Sequence, residues 1–256
     1  MSEAQVQPTT DGAILFDAAA CGGVRPDAAW FDAAHWAAQG GSETHAGGRG
    51  GVAFVHTPAG ACVLRHYHRG GLAARVSADT YLWTGARRTR SFREFRLLDH
   101  LAASGLPVPA PVAARYARNG MSYLADLIVR RIPAVETLAE RLARGAIDAA
   151  LAERVGTTIA RFHGVGACHA DLNAHNILIG ERDFVSLIDF DRGSLRKPAL
   201  GWQQANLARL RRSLDKLGAE KRIADFDVCF WHPLLAAYHA GLTIRPVGDV
   251  VRGAGQ

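Results

Sequence analysis

Two short segments in the second half of the chain carry carboxylate and amide side chains at intervals suited to phosphoryl transfer. Residues 168–176 read CHADLNAHN and residues 187–191 read LIDFD. Asp171 supplies a carboxylate that can take the proton of an attacking hydroxyl group. The amide oxygen of Asn176 and the carboxylate of Asp189 are ligands that suit Mg²⁺ held against phosphate oxygens. The pattern therefore predicts Asp171 as a catalytic base, with Asn176 and Asp189 as metal ligands.

The order and the intervals of these residues are typical of kinases. The catalytic loop of kinases reads H-x-D-L-x-x-x-N, and an Asp-Phe pair follows after a short strand. His169 is expected to orient the loop rather than to transfer protons. Asp191 stands where protein kinases carry the glycine of Asp-Phe-Gly, so two carboxylates compete for the metal. We favour Asp189 because it directly follows the predicted strand. The alternative interpretation is that these polar residues only cap or form turns in loops. Caps and turns do not require all of these residues at these intervals, so the pattern favours a kinase.

Arg65 and Glu94 are candidates for the part of the site that contacts ATP. Arg65 ends the β-type run VLR, where kinases usually carry a lysine. Its planar fork can bind phosphate, although a surface arginine on an edge strand is the alternative. Glu94 is a candidate ion-pair partner of Arg65, or else the second half of a capping box with Ser91. The two roles of Glu94 exclude each other, because a side chain folded back on the cap cannot also reach Arg65.

A glycine cluster, GGRGG at residues 47–51, precedes the first of two β-type runs. Gly48 and Gly50 are predicted to let backbone amides approach the phosphates of ATP. A flexible loop would have the same composition, so the cluster alone does not decide between the two interpretations.

The elements predicted along the chain change from strands to helices. Residues 1 to about 35 are expected to be an irregular or lightly structured lead-in. Strands are predicted over 52–55, 61–67, 113–117 and 122–130, with a helix over 91–104; helices are predicted over 135–143, over 147–163 and from residue 202 onward, interrupted by strands at 177–179 and 185–188. This order predicts an α+β, two-lobed protein-kinase-like fold with a β-rich N-terminal lobe (1–126), a connector (127–133) and a helical C-terminal lobe (134–256).

The charge of the chain is basic and comes almost entirely from arginine. The net charge of the 256 residues is +6, and 27 of the 30 basic residues are arginine. Arginine suits phosphate and carboxylate recognition, although a bias in amino-acid usage would give the same excess. Two clusters, Arg87–Arg96 and Arg209–Arg212, are either solvated faces or docking surfaces for anionic lipid or a phosphorylated acceptor. A nucleic-acid partner would rest on net charge alone, so none is predicted.

The sequence favours a reducing, cytoplasmic setting. The four cysteines are widely spaced, so neither a zinc site nor a disulfide framework is indicated. No run of 18 apolar residues is present, and the chain does not start with a cationic segment before an apolar one. A peripheral position on a membrane surface remains compatible with these features.

Five segments together resemble the 3-deoxy-D-manno-octulosonic acid (Kdo) kinases of Gram-negative bacteria. They are VLRHYHRGG (63–71), EFRLLDHLAASGLPVPAPVAARY (94–116), ADLIVRRIP (125–133), CHADLNAHNILI (168–179) and LIDFDRG (187–193). The catalytic loop alone would fit many kinase-like families. Arg65 stands where most kinases carry a lysine on the strand, and this difference narrows the set of families that the sequence resembles. The resemblance extends from about residue 30 to about residue 240.

The resemblance implies a reaction and a location. It implies transfer of the γ-phosphate of Mg²⁺-bound ATP to the 4-hydroxyl of Kdo on a lipid A precursor, during assembly of the lipopolysaccharide core. It also implies peripheral attachment to the cytoplasmic face of the inner membrane. Carried over by position, Asp171 is the base, Asn176 and Asp189 bind metal, and Arg65 contacts phosphate. Another small-molecule kinase of the aminoglycoside or choline type is the first alternative, and a catalytically silent kinase fold is the second.

Overall fold

The structure is a computed structural model that describes residues 4–40, 42–43, 51–67, 81–133 and 136–243. By its internal contacts the chain divides into two compact units, residues 1–134 with 187–193, and residues 135–186 with 194–256. The first unit contains the strands β1 (Ala4–Pro8), β2 (Gly12–Asp17), β3 (Ser42–Glu43), β4 (Val52–Thr57), β5 (Gly60–His66), β6 (Tyr81–Leu82), β7 (Pro111–Asn119) and β8 (Ser122–Arg130), and the helices α1 (Ala33–Ala38) and α2 (Arg90–Ala103).

The strands of the first unit form one antiparallel sheet. Its order is β1-β2-β7-β8-β5-β4-β3, and β6 pairs with β8 outside this path. The predicted pairs of strands around Arg65 and after the proline-rich segment are therefore confirmed. Residues 127–130 of the predicted connector belong to β8, where they pair with β5. The sheet thus fixes the position of β5, which carries Arg65.

The prediction of an irregular lead-in over residues 1–35 is wrong. This part of the chain contains β1 and β2, and β2 pairs with β7 from Gly12 to Phe16. The aromatic residues that follow, Trp30, Phe31 and Trp36, are buried in the core that covers the sheet. The Trp36 indole donates a hydrogen bond of 2.8 Å to the Trp30 carbonyl, which satisfies its buried N–H. The lead-in is therefore structural and completes one side of the sheet.

Helix α2 has the predicted apolar face but not the predicted N-terminal cap. The apolar residues of the predicted helix, Phe92, Phe95, Leu98 and Leu101, follow a helical period and are all buried. The N-cap is Thr89, whose side chain makes no capping hydrogen bond, and the Ser91 hydroxyl donates instead to the Arg115 carbonyl of β7 at 2.8 Å. The predicted capping box of Ser91 and Glu94 is therefore wrong, because tertiary partners occupy both side chains.

The second unit is mainly helical. It contains β9 (Glu136–Thr137), α3 (Leu138–Ala143), α4 (Ala149–Gly164), β10 (Ala167–Cys168), β11 (Ile177–Ile179), β12 (Val185–Leu187), β13 (Ser194–Leu195), α5 (Leu200–Lys216), α6 (Ala219–Arg222) and α7 (His232–Thr243). Strands β9, β11 and β12 form a small sheet, and β10 pairs with β13. Helix α4 starts at the Asp148 cap, whose carboxylate accepts from the Leu151 N–H at 2.8 Å. Helix α4 packs closely on α7.

Residues 187–193 pack with the first unit rather than with the rest of the predicted C-terminal lobe (134–256). The Leu187 N–H donates to the Pro107 carbonyl at 3.0 Å, and Phe190 is fully buried. A Cβ atom on Gly193 would lie 2.8 Å from the Leu97 side chain, so glycine permits this close approach. The single predicted boundary near residue 134 is thus incomplete, because local packing returns this short segment to the sheet-containing unit.

The contact between α4 and α7 gives a test of the packing of the second unit. A Cβ atom on Gly156 would lie 2.1 Å from the Leu234 carbonyl oxygen, whereas one on Gly201 of α5 would meet nothing within 4 Å. Gly156→Ala is therefore expected to lower the free energy of unfolding by about 1–3 kcal/mol through overpacking. Gly201→Ala, the matched control, is expected to raise it by up to about 1 kcal/mol through helix propensity. Urea denaturation measures both values, and equal effects would contradict the packing described.

Candidate active site

Arg65 joins three segments of the first unit. Its guanidinium forms ion pairs with Glu94 on α2 and with Asp189 in the 187–193 segment, using a different terminal nitrogen for each. Glu94 is only 3% exposed, so its carboxylate depends on this cation and on nearby donors. The alternative of Arg65 as a surface arginine is therefore excluded. A lysine has one terminal nitrogen and lacks the planar fork that serves two carboxylates at once.

Tyr67 completes the environment of this cation, and sequence reasoning missed it. Its hydroxyl donates to the Glu94 carboxylate at 2.6 Å, and its ring lies 4.5 Å from the Arg65 guanidinium carbon. Burial by itself would lower the pKa of Arg65, but Glu94, Tyr67 and Asp189 outweigh it and raise that pKa above its usual value. Arg65 is therefore a permanent cation. Its side chain is still 21% exposed, which leaves it accessible to an anionic ligand.

The two carboxylates that competed for the metal role have different environments. Asp191 is held by a two-pronged ion pair with Arg90, which also donates to the Tyr81 hydroxyl at 2.7 Å. Asp189 contacts Arg65 through one oxygen, and its side chain is 41% exposed. Its backbone φ is +62°, in the left-handed region that few residues other than glycine adopt and that is often retained at functional sites. The geometry favours Asp189 as the residue available to a ligand.

The glycine-rich cluster does not enter this description. Gly48 and Gly50, predicted to contact the phosphates of ATP, lie outside the described residues. Their predicted role stays a prediction. The described part of the nucleotide half of the candidate site is therefore Arg65 with its partners Glu94, Tyr67 and Asp189.

Asp171 lies in the second unit, where polar neighbours hold its carboxylate at the surface. Its side chain is 59% exposed. One oxygen accepts a hydrogen bond from the Asn173 amide at 3.0 Å, and the other lies 3.3 Å from the Arg209 guanidinium. Asn173 is itself fixed, because its side-chain oxygen caps the next turn by accepting from the His175 and Asn176 N–H groups at 2.9 and 3.2 Å. A charged, oriented and accessible carboxylate is what a general base requires.

Asn176 is oriented by the backbone of the same loop. Its side-chain NH₂ donates to the Asp171 carbonyl at 2.9 Å, and the residue is 8% exposed. A carbonyl oxygen can only accept, so the amide must present its nitrogen to the loop and its oxygen elsewhere. That oxygen is the atom that a hard cation prefers. The orientation therefore fits the predicted role of Asn176 as a metal ligand.

A buried hydrogen-bond network, which was not predicted, fixes the loop that carries Asp171. Asn206 on α5 accepts from the His169 N–H at 3.2 Å and donates to the His169 carbonyl at 3.0 Å. The His169 ring accepts in turn from the Asp171 N–H at 3.1 Å, in agreement with an orienting role. His163 lies 3.4 Å from the same Asn206 oxygen and accepts from the Tyr238 hydroxyl at 2.8 Å. Burial lowers the pKa of His163 to about 4, so this side chain is neutral at physiological pH.

The helix that supplies Asn206 also forms one wall of a cleft beside Asp171. The cleft has a volume of about 280 Å³, and Arg209, Arg212 and Lys216 of α5 line it together with Asp171. The Ser213 hydroxyl, also in the wall, accepts from the Ala174 N–H at 3.1 Å and so ties α5 to the loop. The arginine cluster of α5 was noted in the sequence, but its position beside Asp171 was not predicted.

The described ranges contain no group of three or more His, Cys, Asp or Glu side chains that could hold a metal ion. Mg²⁺ is usually bound through one or two carboxylates together with the phosphates of a substrate, so the two predicted ligands would not form such a group. Within the same ranges, no helix has both the length and the apolar character needed to cross a bilayer.

Comparison with known proteins identifies the family. A family model described as "Lipopolysaccharide kinase (Kdo/WaaP) family" matches residues 33–238. A protein of Stenotrophomonas maltophilia (strain R551-3), named 3-deoxy-D-manno-octulosonic acid kinase, is 50% identical over 214 residues, which are 84% of each chain. A protein of the same name from Xanthomonas axonopodis pv. citri is 51% identical over 216 residues, covering 84% of this chain and 85% of the relative.

These similarities confirm the resemblance that the sequence motifs carried, together with the predicted kinase-like fold and the predicted class of enzyme, a kinase. They cover both the β5–α2 region with Arg65 and the loop with Asp171. The chain belongs to the lipopolysaccharide kinase (Kdo/WaaP) family.

Proposed function

We propose that this chain transfers the γ-phosphate of ATP to the 4-hydroxyl group of Kdo attached to a lipid A precursor, as a step in the assembly of the lipopolysaccharide core. Membership of the family supports Kdo as the acceptor, since the relatives of about 50% identity carry that substrate in their names. The single observation that carries the chemistry is Asp171, an exposed carboxylate held in one orientation at the edge of a cleft.

Asp171 acts on the acceptor. Its carboxylate accepts the proton of the sugar hydroxyl as the hydroxyl oxygen attacks the γ-phosphorus, and ADP leaves with the bridging oxygen. The hydrogen bond from Asn173 and the nearby Arg209 hold the carboxylate in one orientation. The loop is fixed from beneath by the Asn206 bonds to His169, so little reorganisation is needed at the moment of transfer.

Asn176 and Asp189 would each supply an oxygen ligand to the Mg²⁺ that accompanies ATP. The amide of Asn176 is oriented by the Asp171 carbonyl, and Asp189 is partly exposed with one oxygen on Arg65. When bound, the ion neutralises charge on the β- and γ-phosphates. Arg65 contributes a fixed positive charge to the nucleotide phosphates, and Glu94 with Tyr67 sets its position. Gly48 and Gly50 are proposed to bring backbone amides to the same phosphates.

The lipid-linked acceptor requires a membrane surface, and a basic patch on the first unit suits it. Arg87, Arg88, Arg93 and Arg96 are exposed on α2 and on the turn before it. Partial burial and the nearby Arg87 lower the pKa of Arg96, which shows that like charges are held close together. Such a patch gains stability from anionic lipid. We therefore propose peripheral binding at the cytoplasmic face of the inner membrane, through these four arginines.

The acceptor is tested by incubating the enzyme with labelled ATP, Mg²⁺ and Kdo-bearing lipid A precursor, in parallel with soluble aminoglycoside and choline acceptors. We expect label in the Kdo-bearing lipid, and tandem mass spectrometry should locate one phosphate at the 4-hydroxyl. Labelling of a soluble acceptor with none in the lipid would refute the proposed acceptor. Phosphate on a different hydroxyl of Kdo would correct only the position.

The same assay tests the base. Asp171→Asn is expected to lower kcat by about 10²–10⁴, the usual contribution of a general base, because the amide cannot take the proton. The Kd for ATP, measured by calorimetry, should stay within about twofold, since Asp171 is assigned to the acceptor. Turnover within tenfold of wild type would remove Asp171 from the mechanism.

A matched pair of variants distinguishes the two neighbouring carboxylates. Asp189→Asn should lose most activity and need more Mg²⁺ for half-maximal rate, because a metal ligand loses its charge. Asp191→Asn should mainly lower the thermal midpoint, since it breaks an ion pair with Arg90 that is 16–21% exposed, and should leave the Mg²⁺ requirement unchanged. Titration of the rate with Mg²⁺ measures both. The reverse pattern would assign the metal to Asp191.

Membrane binding is tested by sedimentation with vesicles of phosphatidylcholine alone or with one fifth phosphatidylglycerol. Replacing Arg87, Arg88 and Arg93 by glutamine should weaken binding to the anionic vesicles by about 100-fold, from about 1 kcal/mol per residue. Replacing Arg154, Lys197 and Lys221, exposed residues of the second unit, removes the same charge and should have a much smaller effect. Equal losses would indicate nonspecific attraction by net charge.

A further inference from the structure

The cleft beside Asp171 has a cationic wall whose geometry comes from one face of α5. Arg209, Arg212, Ser213 and Lys216 are spaced three and four residues apart, so they project on the same side of the helix. All four line the cleft of about 280 Å³ that also contains Asp171. This volume lies at the small end of ligand pockets, which span roughly 300–1,000 Å³. A single sugar suits it better than a nucleotide.

The cations of this wall are not balanced by acidic side chains. Arg211, on the other side of the same helix, forms ion pairs with the three carboxylates of Asp215, Glu220 and Asp227. Arg212 and Lys216, by contrast, form no ion pair with any residue in the described ranges, and Arg209 has only Asp171 at 3.3 Å. The cleft therefore combines one negative charge with three positive ones. Arg211 shows that α5 can neutralise an arginine where the structure requires it.

We propose that Arg212 and Lys216 bind the carboxylate of the acceptor sugar and so present one of its hydroxyl groups to Asp171. This inference rests on the proposed function, because the acid group belongs to the acceptor named there. An arginine fork pairs with a carboxylate through two parallel hydrogen bonds, and the lysine adds a second charge. The sugar that binds is thus selected as an acid, and a neutral sugar of the same shape binds weakly.

The spacing of the cations along α5 supports a cleft in which one end binds the carboxylate of the sugar and the other end holds its hydroxyl beside Asp171. Arg209 marks the end at which Asp171 lies, and Arg212 follows after three residues, about 4.5 Å along the helix axis. Lys216 is a further turn away. In the proposed acceptor, the carboxylate and the 4-hydroxyl are attached to ring carbons two bonds apart, which places the two groups at a similar separation. Repulsion between Asp171 and the bound acid is limited, because Arg209 stands beside Asp171 and the two other cations lie beyond it.

The test is calorimetric titration with free Kdo and with its methyl ester, which has the same ring but no charge. Wild type should bind the acid about ten- to hundredfold more tightly than the ester, the range expected for charge-assisted hydrogen bonds. Arg212→Gln and Lys216→Gln should each lose most of this preference, and Arg212→Lys should retain part of it. Arg154→Gln, an exposed arginine on α4 away from the cleft, is the matched control and should behave as wild type. Thermal midpoints confirm that each variant is folded.

Several results would overturn the inference. They are equal binding of acid and ester by wild type, no binding of the acid at millimolar concentration, and an unchanged preference in Arg212→Gln. Displacement of both ligands by inorganic phosphate, with no preference for the acid, would instead assign the cleft to a phosphate group of the lipid.

The proposed function and the proposed carboxylate site can be refuted independently of each other. If the enzyme binds the acid but transfers no phosphate to Kdo-bearing lipid, the acceptor assignment fails and the carboxylate site stands. If it transfers phosphate to that lipid while Arg212→Gln keeps the wild-type KM for the acceptor, only the carboxylate site fails.

Discussion

The ion pairs of Arg65 are the interaction on which the candidate site residues of the first unit depend. Glu94 is almost completely buried, and a carboxylate in such a position is stable only with a cation and good hydrogen bonds. Arg65 and the Tyr67 hydroxyl provide both. The same guanidinium also holds Asp189. One side chain therefore links strand β5 of the sheet, helix α2 and the 187–193 segment. An arginine is needed here because its fork serves two carboxylates at once.

In the second unit, Asp171 is positioned mainly by hydrogen bonds between neutral groups rather than by buried ion pairs. There the loop is fixed mainly by neutral hydrogen bonds to its backbone, from Asn206 beneath it and from Asn173 and Asn176 within it. Neutral donors and acceptors position the loop, and Asp171, which has Arg209 at 3.3 Å, keeps 59% of its side chain exposed. His163 belongs to the same network and is neutral because burial lowers its pKa to about 4. Support by neutral groups leaves Asp171 exposed at the cleft, beside Arg209.

Sequence reasoning reached the residues whose partners are close in the chain. Asp171, Asn176 and Asp189 form a pattern because the loop and the following hairpin are local, and α2 shows its core face through its own period. Asn206 and Tyr67 were missed because their roles depend on partners that folding brings near, 37 and 27 residues away. The capping box failed for the same reason: Glu94 satisfies the local rule, but the buried cation of β5 is a stronger partner. The strands of the lead-in were missed because β1 is polar and exposed for most of its length.

Arg211 and Arg212 show that charge composition alone cannot tell which arginines are available to bind an anion. The sequence presents them as one basic cluster with Arg209, and composition gives no reason to separate adjacent arginines. In the structure, the helical rotation of about 100° between neighbours turns Arg211 toward three carboxylates and Arg212 toward the cleft. A cation already surrounded by acids gains little from a further anion, whereas one facing an open cleft gains the full charge-assisted bond. Arg211 is therefore a structural arginine, whereas Arg212 faces the cleft, where we propose that a ligand supplies its anion.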